Sequence, residues 1–365
     1  LSEAEKIARI QLYRSENVGP ITFYHLLHRY QTAVEALSLL PELARRGGLS
    51  SSLRIYPTAK VMKEIDRHRK FGAALVVWGE PLYPKTLSLI PDASPVLSFK
   101  GNTGLLEQKT IAIVGARNCS LIGKRISSTY AQELGERGYI ISSGLARGID
   151  SAAHQGALAT GTLAVIAGGI DQIYPSENKT LFDQLYEKGL IIAEAPFGME
   201  PQANLFPRRN RLISGLSLGV IVIEAAFQSG SLITARYANE QGKEVFVVPG
   251  SPIDPRYKGS NYLLKQGANL ITSTNDVIDI LEKPYVVPNY KEENTWIEES
   301  LESDEGVNQE LSGTILSLLS PTAILLDELI RACRVSSMQI QGILLQLELA
   351  GKIIRHPGNR VSLTA

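Results

Sequence analysis

The stretch "TIAIVGAR", Thr110–Arg117, packs four apolar residues, two of them isoleucines, ahead of a glycine, a small residue and an arginine. A run this short, apolar at consecutive positions and β-branched reads as a strand buried on both faces, as in a parallel sheet. Working outward, the same pattern returns in "ALVVW" (74–78), "YIISSG" (139–144), "LAVIAGG" (163–169) and "LIIAEA" (190–195). It returns again in "GVIVIEA" (219–225), "VFVVPG" (245–250) and "NLITS" (269–273). The segments between, such as Gly123–Arg137 and Asp150–Ala159, are of helix length. Strands alternating with helices in this way give an α/β fold with a doubly wound, mostly parallel, Rossmann-like sheet and right-handed crossovers.

Several of these strands end in small residues: Gly115, Ser143-Gly144, Gly168-Gly169 and Pro249-Gly250. Ligands of open α/β sheets bind at the carboxyl ends of strands, and missing side chains there let backbone N–H groups approach phosphates. "VGARNCSLIG" is neither a G-x-G-x-x-G turn nor a Walker A loop, which argues against a mononucleotide pocket. Gly115, Ala116, Arg117, Gly144 and Arg147 instead outline a long anion-binding groove. "LFPRRNRLISGLS", Leu205–Ser217, adds to it. Pro207 suits the first position of a helix. Arg208, Arg209 and Arg211 then crowd its positive end, at a cost of a few tenths to about 1 kcal/mol each. A bound anion would offset that cost; structural ion pairs are the alternative. In the first case one of Arg209 and Arg211, two apart on the helix, meets phosphate while the other orders the loop. Phe206 offers a ring on which an unpaired base can stack.

At 365 residues with 44% hydrophobic content, the chain has room for two or three domains with cores of their own. No apolar run reaches membrane-spanning length. The opening "LSEAEKIARIQLYR" reads as a helix capped by Ser2 and Glu5 rather than a signal peptide. Two cysteines, Cys119 and Cys333, suit a reducing cytoplasm. The five histidines form no ligand motif, so neither a metal nor another cofactor is expected. No G-x-S-x-G elbow occurs, and Asp150, Glu194 and Glu224, at or near strand ends, read as caps or arginine partners before they read as acid–base catalysts. The zero net charge is unevenly spread: residues 1–275 carry 30 Lys/Arg against 23 Asp/Glu, and residues 276–365 carry 7 against 14. That asymmetry favours an anionic partner for the front of the chain.

The sequence divides into a helical domain over 1–70, a sheet domain over 71–284, an acidic linker over 285–306 and a terminal domain over 307–365. In the first, "ENVGPITFYHLLHRYQTAVEAL" sets a Val-Gly-Pro turn between amphipathic segments carrying Phe23, Leu26, Leu27 and Tyr30, in the manner of helix-hairpin-helix or SAM-like folds. The last reads helix, helix, helix, hairpin, with a Pro-Gly-Asn turn, as in a winged helix. Its third helix, Ser337–Ala350, contains no Lys or Arg, so a structural or protein-contact role is favoured over DNA reading.

Taken together, "IVGAR", "SGLARGIDSAAHQGAL", "YPSENKTLFDQL", "FPRRNRLISGLSLGVIVIEA", "SGSLITARYANEQGKEVFVVPG" and "GSNYLLKQGANLI" resemble the DprA/Smf family of bacterial DNA-processing proteins. The resemblance spans about residues 110–272. It implies a cytoplasmic homodimer without catalytic activity that binds single-stranded DNA, protects it and passes it to the recombinase RecA. It further implies a DNA groove that includes Arg117, Phe206, Arg209, Asn210 and Arg211. Many relatives carry a lysine three residues before the aromatic; Ala203 stands there, and Arg208 is a candidate replacement. A subunit contact is implied in "SNYLLKQGA", at Tyr262, Leu263 and Leu264. The rival reading is a nucleotide-processing enzyme of the lysine-decarboxylase-like phosphoribohydrolase type, whose signature places a glutamate after a Gly-Thr pair. "QSGSLITARY" lacks it. A third reading is a protein-binding adaptor.

Overall fold

The computed structural model describes residues 1–283, 305–356 and 358–364. The chain forms two compact units, one of residues 1–10 with 57–281, the other of 11–56 with 282–365. Four helices come first: α1 (Glu3–Arg14), α2 (Pro20–Tyr30), α3 (Ala33–Arg46) and α4 (Thr58–Phe71).

The larger unit is built on a nine-stranded sheet. In chain order its elements are β1 (Ala74–Val77), β2 (Val96–Gly101), β3 (Thr110–Gly115), α5 (Leu121–Glu136), β4 (Ile140–Ser143), α6 (Ile149–Ala157), β5 (Thr162–Ile166), α7 (Lys179–Lys188) and β6 (Leu190–Ala193). They continue as α8 (Leu205–Gly215), β7 (Gly219–Ile223), α9 (Gly230–Glu240), β8 (Glu244–Val247), α10 (Lys258–Lys265), β9 (Asn269–Leu270) and α11 (Thr274–Leu281). The spatial order is β1-β2-β6-β5-β4-β3-β7-β8-β9, and every pair from β6 to β9 is parallel. Winding therefore proceeds outward from β3 to β6, then restarts at β7 on the other side of β3. That reversal leaves a topological switch point at the carboxyl ends of β3 and β7, where such sheets bind ligands.

Alternate strand residues face opposite ways. Ile111, Ile113, Ile221 and Ile223 join Tyr130, Leu134, Ile149 and Ala153 in one buried layer. Ala164, Ile166, Ile191 and Ala193 pack with Phe182 and Leu185 in another. β2 lies outside the runs picked out from the sequence: Ser98 and Lys100 interrupt its apolar pattern. It nevertheless pairs antiparallel with β6 and β1, with Val96–Phe99 buried. His68 accounts for the buried Ser98, its Nε2 lying 2.7 Å from the serine Oγ.

In the smaller unit, residues of the helical hairpin share one body with α12 (Glu305–Leu318), β10 (Ile324–Leu325), α13 (Leu326–Cys333), α14 (Ser337–Leu349), β11 (Ile353–His356) and β12 (Arg360–Leu363). The last six make a winged helix with a sheet ordered β10-β12-β11. Most of the linker expected over 285–306 lies outside the described residues; 305 and 306 already belong to α12. α14 carries apolar side chains round its circumference because it has two faces to bury. Ile340, Ile343, Leu344 and Leu347 fill the winged-helix core. Leu345 and Leu349 are buried outside that core, and α14 packs along α3. Gly47 permits the approach, since a Cβ there would sit 2.0 Å from the Gln346 carbonyl oxygen. Asn17 Nδ2 donates to the Leu349 carbonyl at 3.0 Å, and Arg355 lies 3.3 Å from Glu348 in the same interior. The helix that would read DNA in a winged-helix reader thus packs one of its faces on the protein's own hairpin.

His154 of α6 is fully buried, its Nδ1 2.6 Å from Thr162 Oγ1, and burial with the nearby Arg209 pulls its pKa down to about 3. The unfolded chain gains this proton near pH 6.5, whereas the folded chain resists it until about 3. Stability should accordingly fall as pH drops through that window, at up to about 1.4 kcal/mol per pH unit from this group. Denaturant titrations at several pH values should give a shallower acid slope for His154→Gln than for wild type; identical slopes would show that His154 is not responsible.

Candidate nucleic-acid interface

The loops after β3, β4, β5 and β6 meet around the start of α8. Helix α8 begins at Leu205, two residues before Pro207, which occupies its third position rather than its first. A proline is still harmless there because the first four N–H groups of a helix lack intrahelical partners.

Arg209 and Arg211 point inward, and both are buried. The Arg209 guanidinium donates from Nη1 to the carbonyls of Gly144 (2.6 Å) and Val165, and from Nε to Asn210 Oδ1 (3.1 Å). Burial pulls its pKa down to about 10, which leaves it charged at neutral pH. Asp150 faces the same interior and accepts from the Gly144 and Ala146 N–H groups at 3.2 and 3.4 Å. Burial raises its pKa, and Arg209 opposes that rise. Gly144 is required here, for a Cβ would meet the Arg209 guanidinium at 2.6 Å. Arg211 lies against Glu194 and, at 3.7 Å, Asp92. Asn210 Nδ2 donates to the Gly230 carbonyl at 3.1 Å. Of the two sequence alternatives, a bound anion or structural partners, the structure shows the second at Arg209 and Arg211, both of which are buried. Both are held by carbonyl and carboxylate groups of the fold, and Asn210 with them. Arg208 alone of the three arginines is exposed.

What this buried frame presents outward is an aromatic and basic surface. Phe206, half-buried, has the Arg117 guanidinium 5.5 Å from its ring centroid. The Tyr174 ring also lies 5.5 Å from it, tilted by 57°. Arg117 and Tyr174 are exposed. Tyr174, in "YPSEN", has no periodicity or charge pattern in the sequence to mark it. The loop that carries it is tied to the strand ends by Asn178 Nδ2, which donates to the Leu145 carbonyl at 2.9 Å. Arg147 is exposed beside it, 3.4 Å from Glu177 in a solvated pair that water and salt readily weaken. The loop after β3, Gly115 and Ala116 included, rests on Gly148. That residue has φ +83°, and a Cβ on it would strike the Ala116 and Arg117 carbonyls at 2.3 and 2.5 Å.

Glu224 fixes the start of α5. Its carboxylate accepts from Ser120 N–H at 2.8 Å, from the Ser120 hydroxyl, and from the Tyr257 hydroxyl at 3.1 Å. The three strand-end carboxylates thus serve the frame: Asp150 a loop, Glu194 an arginine, Glu224 a helix cap. Cys119 stands in the same loop with its thiol pKa pushed up, chiefly by burial and then by Glu224, which argues against a reactive thiolate. Among the described residues no group of three or more His, Cys, Asp or Glu is placed to hold a metal, and no helix is long and apolar enough to cross a membrane.

The arrangement has close counterparts. Residues 74–282 match the family model described as DNA recombination-mediator protein A, residues 3–66 the DprA-like N-terminal HHH domain, and residues 302–359 the DprA winged helix domain. The chain belongs to the DprA/Smf family. It is 46% identical over 222 residues to DNA processing protein DprA of Streptococcus pneumoniae, covering 60% of this chain and 77% of that one. Protein Smf of a Synechocystis strain is 33% identical over 326 residues, 81% of each chain. The X-ray structure of the S. pneumoniae DprA superposes with a TM-score of 0.63 at 35% identity over 76% of this chain and 98% of that one. A structure of DNA processing protein A from Helicobacter pylori, described for its single-stranded DNA binding mode, superposes at 0.53 with 32% identity, over 57% and 95% of the two chains.

The third sequence-derived cluster lies on α10. Leu263 is buried, Leu264 is half-buried and Tyr262 is exposed. Leu263 therefore belongs to the core, and the apolar surface here is Tyr262 with Phe227, their ring centroids 5.5 Å apart and both exposed.

Removing one partner of a buried charged network leaves the other uncompensated, at about 3–5 kcal/mol. Arg209→Ala and Arg211→Ala should each lower unfolding free energy by that order in denaturant titrations, whereas Arg117→Ala should change it by less than about 0.5 kcal/mol. Stable Arg209→Ala and Arg211→Ala variants would contradict the frame described here.

Proposed function

We propose that this protein binds single-stranded DNA along the strand-end groove and delivers it, as a homodimer, to the RecA recombinase without catalysing a reaction on it. The observation that carries the reading is the cluster of exposed Arg117 and Tyr174 around half-buried Phe206, set over a buried frame. Aromatic rings stack on any base, and an unpaired strand offers its bases freely, so such a surface favours single strands over duplex without reading sequence. Arg117, Arg147 and Arg208 supply the exposed charge for phosphates, with the backbone of Gly115, Ala116 and Gly144 beside them. Arg209, Asn210 and Arg211 act by holding Phe206 in place. The description of the H. pylori relative supports the ligand class, and the recombination-mediator description of the family supports the handover.

Fluorescence anisotropy with labelled oligo-dT tests this. The log–log salt slope should be roughly −2 if three phosphates are neutralised, at about −0.7 each. Phe206→Ala should weaken binding by about 1–3 kcal/mol with the slope kept, and Arg117→Ala should make the slope shallower by about 0.7. Preference for blunt duplex, or binding indifferent to salt, would refute the proposal.

For the dimer, Tyr262 and Phe227 are the supporting surface, since exposed aromatic pairs mark interfaces more often than solvated faces. Two protomers would let one strand engage two grooves and gain avidity. Light scattering should show a wild-type dimer at micromolar concentration and a folded Tyr262→Arg monomer that still binds short oligo-dT. A monomeric wild type would end this part of the proposal.

A further inference from the structure

Leu121 and Ile122 are the first two residues of α5, and they lie 84% and 68% exposed. A surface helix ordinarily turns such side chains toward the core; here Gly123 takes the inward position, where a Cβ would come within 2.6 Å of the Glu224 carboxylate. Lys124 and Arg125 complete the turn. Both are exposed, and neither has an ion-pair partner among the described residues. The turn contains no acid. Positions 121, 124 and 125 share one side of the helix by the i, i+3, i+4 rule. The turn is anchored through Ser120 to Glu224, and it begins four residues after Arg117, whose guanidinium sits over Phe206. A fixed, solvent-facing strip of two apolar and two basic side chains therefore follows Arg117 along the chain within one short loop.

We propose that the strand leaving the Arg117–Phe206 centre runs on across the first turn of α5, with a base against Leu121 and Ile122 and the adjoining phosphates against Lys124 and Arg125. This inference rests on the single-strand reading above and extends it by a second contact region. The chemistry suits an unpaired strand, which alternates flat, weakly polar bases with phosphates along its length. An acidic segment of a partner protein would satisfy the lysine and arginine equally well; continuity with Arg117 favours nucleic acid.

The test uses the full chain with three variants: Leu121→Ser/Ile122→Ser, Lys124→Ala/Arg125→Ala and Phe206→Ala. Both α5 variants should keep the wild-type thermal midpoint, because all four side chains lie in solvent. With labelled oligo-dT, the serine pair should weaken binding about tenfold at an unchanged salt slope. With five phosphates neutralised the wild-type slope becomes about −3.5, and the alanine pair should make it shallower by about 1.4, or two phosphates. If both α5 variants match wild type in affinity and slope while Phe206→Ala is weakened, the extension is wrong and the single-strand reading stands. If wild type fails to bind oligo-dT, both fall. Labelled poly-glutamate that binds wild type but not the alanine pair, with oligo-dT binding indifferent to all four substitutions, would assign the turn to an acidic protein partner and overturn the proposal.

Discussion

The placement of the candidate interface depends on one buried cation. Arg209 reaches from α8 to the carbonyls at the ends of β4 and β5, and so fastens the start of a crossover helix to the carboxyl end of these central strands. Carbonyl groups at strand ends have no further ladder partner and would otherwise need water; a guanidinium supplies donors in a fixed plane. Asp150 offsets part of the charge and at the same time orders the Gly144–Ala146 loop. Phe206, three residues before Arg209, is thereby presented beside Arg117 and Tyr174. The surface is aromatic and basic because the interior beneath it is ionic.

This division of labour explains what could be read from the residues and what could not. Consecutive apolar, β-branched runs revealed the parallel sheet, since strands buried on both faces leave no room for polar alternation. β2 carries serine and lysine and declares itself only through its partners, β1 and β6. The arginine cluster was legible as unusual, but its direction was not. The partners of Arg211 are Asp92 and Glu194, residues far along the chain that only the folded sheet brings together. A local reading sees cations at a helix start and supplies an external anion; the fold supplies internal ones. Tyr174 was illegible for the complementary reason, because a loop aromatic has no periodicity to betray it. Leu263 looked like surface in a run of three bulky residues and proved to be core, while its neighbour Tyr262 remained outside.

The winged helix shows the same economy in the smaller unit. An α14 without basic residues lacks the cationic phosphate contacts that DNA-reading helices normally make. Its second apolar face lies on α3, where Gly47 lets the two backbones approach. Sequence composition favours a structural or protein-contact role, and α14 packs on α3 within the smaller unit.

Hydrogen exchange of the full chain with and without a saturating oligo-dT tests the central claim most directly, since it asks where on the molecule the strand lies. The account predicts slowed exchange in the segments 115–120, 144–148, 174–178 and 205–208, with α14 unchanged. Protection confined to the winged helix, with the four strand-end segments exchanging as in the free protein, would contradict it.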